Sequence, residues 1–243
     1  MKVFDIVPVK FEDDKMLILD QTKLPGEEVY IEMKTKEDVW DAIFKLKVRG
    51  APAIGVAAAY GLYISTRDFK GTKVKEFREY VRETSAYLNS ARPTAVNLSW
   101  ALKRCEDMLD RYIKAFDDAA CGFLCSCDHC AGDQVDDAKM LLLDEAEKIR
   151  KEDEAACRKM GEYGLSLLKP GMGILTHCNA GTIATAKYGT SPRFTSDRRR
   201  AADSKSLQTK PGRFFRAHGS HPGSFPRRVW MLPSSATIWH PLL

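Results

Sequence analysis

Two short stretches hold residue types whose spacing suits chemistry. Arg49-Gly50-Ala51-Pro52-Ala53-Ile54-Gly55 places a guanidinium before a small-residue turn and a helix start. Free backbone N–H groups, the helix dipole and a forked cation together suit a phosphate or sugar phosphate. The same spacing also serves tight packing alone, with Arg49 as a surface charge. Thr176-His177-Cys178-Asn179-Ala180-Gly181 places Cys178 where a strand ends and a helix is about to start. In open α/β sheets ligands bind at such carboxyl ends, and a nearby helix N-terminus favours a thiolate. His177 alternates away from Cys178 if the strand continues, so the two do not form a secure nucleophilic pair. Cys178 reads equally as a buried structural cysteine.

Three further features are weaker. Arg92-Pro93 lies between two helical patterns, where a loop arginine is ordinarily solvated. Cys121, Cys125, Cys127, His129 and Cys130 are dense enough for a zinc knuckle. Their irregular spacing and Ala/Gly/Asp flanks favour a variable loop instead. A basic C-terminal stretch has the charge for phosphate contacts, but no regular aromatic interleaving or periodic element accompanies it.

The elements that must position these residues follow from periodicity. Val3 to Val9 and Met16 to Leu19, around the polar turn Glu12-Asp13-Asp14-Lys15, read as a β-hairpin, with Val29 to Met33 a third strand. Thr35-Lys36-Glu37-Asp38 is a capping box ahead of a helix carrying Val39, Trp40, Ile43, Phe44 and Leu46. Ala51 to Ile64 is a buried helix opened by Pro52. Helices are expected over Val74 to Leu88, Thr94 to Phe116 and Asp136 to Leu168, the last stopped by Lys169-Pro170-Gly171. Gly173 to Thr176 is a short strand, and Thr182 to Lys187 begins a helix. The fold class is therefore α/β: an N-terminal β-hairpin and helical domain over 1–168, then the start of a Rossmann-like parallel-sheet domain over 169–190, incomplete. Residues 191–243 show no sustained period and are expected to be an irregular tail.

Composition sharpens that break. The chain has 243 residues, 44% of them apolar and 29% charged, as in an ordinary globular protein. No apolar run reaches the ~18 residues of a membrane span, and no signal-peptide pattern opens the sequence, so a cytoplasmic setting with reduced thiols is expected. The net charge of +5 is the sum of two unlike parts. Ser191 to Leu243 carries ten Lys and Arg against two acids and no Glu, while the preceding 190 residues are net −3.

Taken together, the first two motifs resemble the methylthioribose-1-phosphate isomerase family. Leu19-Asp20-Gln21-Thr22-Lys23-Leu24-Pro25, Arg92-Pro93-Thr94-Ala95-Val96-Asn97-Leu98 and Ala184-Thr185-Ala186-Lys187-Tyr188-Gly189-Thr190 resemble it too. The resemblance runs in order over roughly residues 3 to 190. The wider superfamily includes ribose-1,5-bisphosphate isomerases and regulatory subunits of a translation-initiation exchange factor. The resemblance implies an aldose–ketose isomerisation in methionine salvage, 5-methylthioribose 1-phosphate to 5-methylthioribulose 1-phosphate, without metal or cofactor. Residues alone do not separate methylthioribose from 5-deoxyribose as the sugar. It implies that Arg49, Gly50, Ala51 and Arg92 bind the sugar phosphate and that Cys178 takes part in proton movement. Such residue types fit those roles. It further implies a homodimer for the full-length family, with no nucleic-acid or membrane partner.

The family pattern also calls for Cys-Asp-Asn-Met-Ala and Thr-Arg-Pro-x-x-Gln-Gly strings, and neither occurs here. Back-translation offers an account. With codon choice free, regrouping each codon's last base with the next two turns Gln208 to Ser220 into Asp-Glu-Thr-Arg-Pro-Leu-Leu-Gln-Gly-Ala-Arg-Leu. The same shift turns Val229 to Pro241 into Leu-Asp-Val-Thr-Leu-Ile-Cys-Asp-Asn-Met-Ala-Ser, and from Ser191 it permits Ala-Pro-Ile-Tyr-Ile-Gly. Both missing strings return in one unchanged frame. Residues 191–243 are thus read as an out-of-frame, disordered product of a frameshift at about codon 190, natural or from sequencing, in a truncated chain. The rival reading is a genuine disordered basic arm. On the first, this chain keeps Cys178 but lacks its acid–base partner, and little activity is expected.

Overall fold

The computed structural model describes residues 6–120, 128–168, 173–177, 179–190, 205–209 and 229–231. These fall into two compact units, divided after Asp153.

The first unit opens with three antiparallel strands, β1 (Val9–Glu12), β2 (Lys15–Leu19) and β3 (Tyr30–Met33), in the order β1-β2-β3. Glu12 pairs with Lys15, so only Asp13 and Asp14 form the turn, with φ of 50° and 58°. Positive φ at both central residues is the two-residue turn that suits strand twist, and Asp tolerates it. This corrects the first strand. Among the described residues it runs over Val9–Glu12 and leaves out Ile6 to Pro8, because the tight turn leaves Glu12 and Lys15 to the ladder; Val3 to Asp5 lie outside the described residues.

Helix α1 (Lys36–Phe44) starts at the expected box: Thr35 Oγ1 accepts from the Asp38 N–H at 3.2 Å, and Asp38 accepts from the Thr35 N–H at 3.0 Å. Helix α2 (Ala51–Thr66) is apolar all round and buried continuously from Ala53 to Thr66, so it forms the centre of the core. Helices α3 (Val74–Ser90), α4 (Val96–Ala120) and α1, with β1 and β2, pack around it. Such burial requires every polar group to be bonded. Ser65 Oγ donates to the Gly61 carbonyl and Thr66 Oγ1 to that of Tyr63. The Tyr63 hydroxyl donates to Asp14 at 3.1 Å, and that of Tyr60 donates to Glu147 while accepting from Arg150. Those last two residues lie on α5 (Asp128–Leu167), which continues into the second unit. Helix α4 buries an apolar stripe of Leu98, Leu102, Cys105, Met108 and Leu109.

In the second unit β4 (Gly173–His177) lies between β5 (Lys205–Thr209) and β6 (Val229–Met231), parallel to both. The irregular tail expected after Thr190 is therefore corrected at these two segments. Strands of five and three residues, one with a single apolar side chain and the other too short to alternate, leave no period to read. The helix expected over Thr182 to Lys187 is also corrected: a single 3-10 turn covers Thr182–Ala184. Thr185 is extended there, and its hydroxyl accepts from the Gly189 N–H and donates to the Lys187 carbonyl. A β-branched hydroxyl bonding nearby backbone competes with helix. Among the described residues no helix is long and apolar enough to cross a membrane.

Candidate functional site

Arg49-Gly50-Ala51 links α1 to α2, and its course is fixed on both sides. Before it, the Val48 N–H donates to the Ala42 carbonyl, Lys47 ion-pairs with Asp41 at 2.8 Å, and the Gln21 N–H donates to the Lys47 carbonyl at 2.8 Å. Gln21 belongs to the loop after β2, where Asp20 accepts from both the backbone and the hydroxyl of Thr22. That turn buries Asp20 and Gln21 against the core. After it, Gly50 serves as the N-cap of α2 with φ of 98° and ψ of 133°. Only glycine adopts that region without strain, and it presents no side chain to whatever approaches the helix end. Pro52 occupies the first turn, and no side chain caps it. The first-turn N–H groups of Ala51 and Ala53 have no carbonyl a turn before them in the helix and point out along its positive end.

Arg92 reaches the same neighbourhood from α3. The Ala95 N–H donates to the Arg92 carbonyl at 2.9 Å, closing a turn that leads directly into α4. The second residue of α4, Asn97, packs directly on Gly55, the fifth residue of α2. Both helices therefore begin at the same end of the unit, each within about one turn of that contact. Arg49 is exposed and Arg92 half-buried, and among the described residues neither guanidinium has a hydrogen bond, ion pair or ring contact. Two arginines without ion-pair partners, each just ahead of a helix, are residue types that suit a dianion.

Cys178 lies outside the described residues; in the chain it directly follows β4. The loop after it is closed on itself. Asn179 Oδ1 accepts from the Gly181 N–H at 2.8 Å, and the Thr190 N–H donates to the Ala180 carbonyl at 3.1 Å. Lys187 in this loop ion-pairs with Glu154 of α5 at 3.4 Å. Cys121, Cys125 and Cys127 lie outside the described residues, while His129 and Cys130 fall at the start of α5. The buried Cys105 is a packing residue: burial pushes its thiol up to about 12, far from nucleophilic use.

Gly55, Asn97 and Gln21 were not singled out as site residues from spacing, although all three stand inside the strings that carry the resemblance. Gly55 and Asn97 bring α2 and α4 together, and the Gln21 N–H holds the Lys47 carbonyl ahead of Arg49.

The architecture, a helical unit with two arginine-bearing helix starts and a parallel-strand unit, has counterparts among known proteins. Residues 47–188 match the initiation factor 2 subunit family, and the chain belongs to that family. It is 48% identical over 187 residues to the 5-deoxyribose 1-phosphate isomerase of Petrotoga mobilis, spanning 76% of this chain and 49% of that protein. It is likewise 48% identical over 187 residues to the methylthioribose-1-phosphate isomerase of Symbiobacterium thermophilum, spanning 76% and 47%. The chain thus spans about half the length of the curated relatives it matches. Among solved structures, 5-methylthioribose 1-phosphate isomerase from Pyrococcus horikoshii superposes with a TM-score of 0.68 at 28% identity, over 85% of this chain and 61% of that one. The delta subunit of translation initiation factor eIF-2B from A. fulgidus superposes with a TM-score of 0.65 at 35% identity, over 84% and 54%.

Proposed function

We propose that this chain represents a sugar-phosphate aldose–ketose isomerase that converts 5-methylthioribose 1-phosphate to 5-methylthioribulose 1-phosphate in methionine salvage, with 5-deoxyribose 1-phosphate as the alternative substrate. The carrying observation is the pair of unneutralised arginines, Arg49 and Arg92, at helix starts held together by the Gly55–Asn97 contact. Arg49, Gly50, Ala51 and Arg92 bind the sugar phosphate, and Cys178 takes part in the proton movement between C1 and C2. Relatives named for both sugars are equally similar, which leaves the 5-substituent to assay. The setting is cytoplasmic, and a homodimer is the assembly the resemblance implies for the full-length family.

In this reading residues 1–168 are the N-terminal helical domain, and 169–190 open an incomplete Rossmann-like domain. Residues 191–243 are out of frame. One observation supports the last point: the similarity to the isomerase relatives spans 76% of the chain. Sequencing the source DNA across about codon 190 tests it: a miscounted base supports the shift, and an intact frame contradicts it.

A second reading, a non-catalytic regulatory module or relic of the same superfamily, draws support from the 35% identity to the eIF-2B delta subunit. The anion site itself is tested by Arg49→Ala and Arg92→Ala in titrations with both sugar phosphates. A charge-assisted contact is worth about 1.5–3 kcal/mol, so each change is expected to weaken binding about 10- to 100-fold. Affinities unmoved by either change contradict the assignment.

A further inference from the structure

Gly55 lies in the buried interior of α2, one turn from the proposed phosphate site, and touches neither arginine. A Cβ placed on it would sit 2.9 Å from the Asn97 carbonyl oxygen and 3.4 Å from the Asn97 Cβ. The nearer atom is backbone, at the second residue of α4, so no rotamer change relieves the clash. The only relief is to move the start of α4 away from α2. That movement carries the Arg92 turn with it, because the Ala95 N–H is bonded to the Arg92 carbonyl and the Leu98 and Ser99 N–H groups to that of Ala95. Gly61, two turns further along the same helix, offers an internal comparison. Its virtual Cβ meets Val39 Cγ1 of α1 at 2.4 Å, a side-chain rather than a backbone contact, and not on α4.

Resting on the anion site proposed above, we infer that Gly55 is a positioning residue for it: the missing Cβ seats the start of α4 on α2 and sets the Arg92 turn beside Arg49-Gly50-Ala51. Gly55 acts only through the placement of these groups. Its replacement therefore changes anion affinity out of proportion to its effect on stability. Gly61 replacement does the reverse.

The test compares the full chain with its Gly55→Ala and Gly61→Ala variants. Thermal midpoints, calorimetric affinity for 5-deoxyribose 1-phosphate and amide hydrogen exchange are measured on all three. Gly55→Ala is expected to weaken binding by about tenfold or more, and Gly61→Ala to lower the midpoint while leaving affinity within about twofold. Exchange at Ala95, Leu98 and Ser99, whose N–H groups are bonded in the Arg92 turn and the first turn of α4, is expected to quicken in Gly55→Ala alone. Affinity of Gly55→Ala within about twofold of the unaltered chain overturns the inference, as does equal weakening in both variants. If the unaltered chain binds no sugar phosphate, the functional reading fails by itself. The exchange arm then decides the positioning: unchanged exchange in Gly55→Ala overturns it, and local quickening upholds it.

Discussion

A gene product read in the restored frame after about codon 190 is expected to turn over a 5-substituted ribose 1-phosphate at least about 1,000-fold faster than the 243-residue chain. The reason is chemical. Moving a proton between adjacent carbons needs an acid and a base in register, and loss of one member of such a set removes most of the rate. The 243 residues hold Cys178 but no Cys-Asp-Asn-Met-Ala string, and the restored frame supplies one from Val229 onward. Following the aldose and ketose signals by NMR for both sugars gives the comparison. In the restored protein, Cys178→Ala should fall back towards the 243-residue rate. Equal rates for the two products contradict the frame reading and leave residues 191–243 as a native arm.

The second large effect concerns stability. Arg104→Ala is expected to cost about 2–3 kcal/mol and to lower the thermal midpoint by roughly 5–10 °C. Arg104 Nε donates to Glu145 at 2.5 Å, and its two terminal nitrogens bond Glu152 at 2.5 and 2.8 Å. The Glu145 side chain is only 6% exposed, and its other cation, Lys148, stands at 3.5 Å and is largely in water. Truncating Arg104 therefore strands a buried carboxylate on α5, where the desolvation already spent is no longer offset. Arg104→Lys keeps the charge but not the fork, and an intermediate loss is expected. Arg104 also holds the Glu152 carboxyl below its ordinary value through their hydrogen bonds. A depressed folded value means that this stabilisation is present above about pH 4.5 and is lost as pH falls through the folded value. The gap between parent and Arg104→Ala should thus narrow in acid. A midpoint unchanged by Arg104→Ala would show that the α4–α5 pairing contributes nothing.

The helical unit was largely legible because its signals are local. Thr35 and Asp38 announce α1, Pro52 and the Ala-rich run announce α2, and the stripe from Leu98 to Leu109 announces α4. What failed depended on partners distant in the chain or on single hydrogen bonds. The four-residue charged run Glu12 to Lys15 looks like one loop, but two residues at positive φ suffice, and the outer two join the ladder. Thr182 to Lys187 resembles a helix start until Thr185 bonds its own neighbourhood. Strands β5 and β6 owe their place to pairing with β4, which segments of five and three residues do not declare. For the site, the arginines were visible as residue types after small-residue or proline turns. The contact that joins them was not. A glycine within a helical pattern says that something comes close, but Asn97, more than forty positions away, is named only by the fold.

The most direct measurement of the central claim is a calorimetric titration of the 243-residue chain with 5-deoxyribose 1-phosphate, set against 5-deoxyribose and inorganic phosphate. The Arg49 and Arg92 pair predicts saturable binding of one sugar phosphate per chain, weaker binding of inorganic phosphate and none of the unphosphorylated sugar. Binding of the sugar phosphate should persist whether or not the chain turns it over, because Arg49 and Arg92 both lie in the first unit. No heat with the sugar phosphate at millimolar concentration, or equal heat with the unphosphorylated sugar, would contradict it.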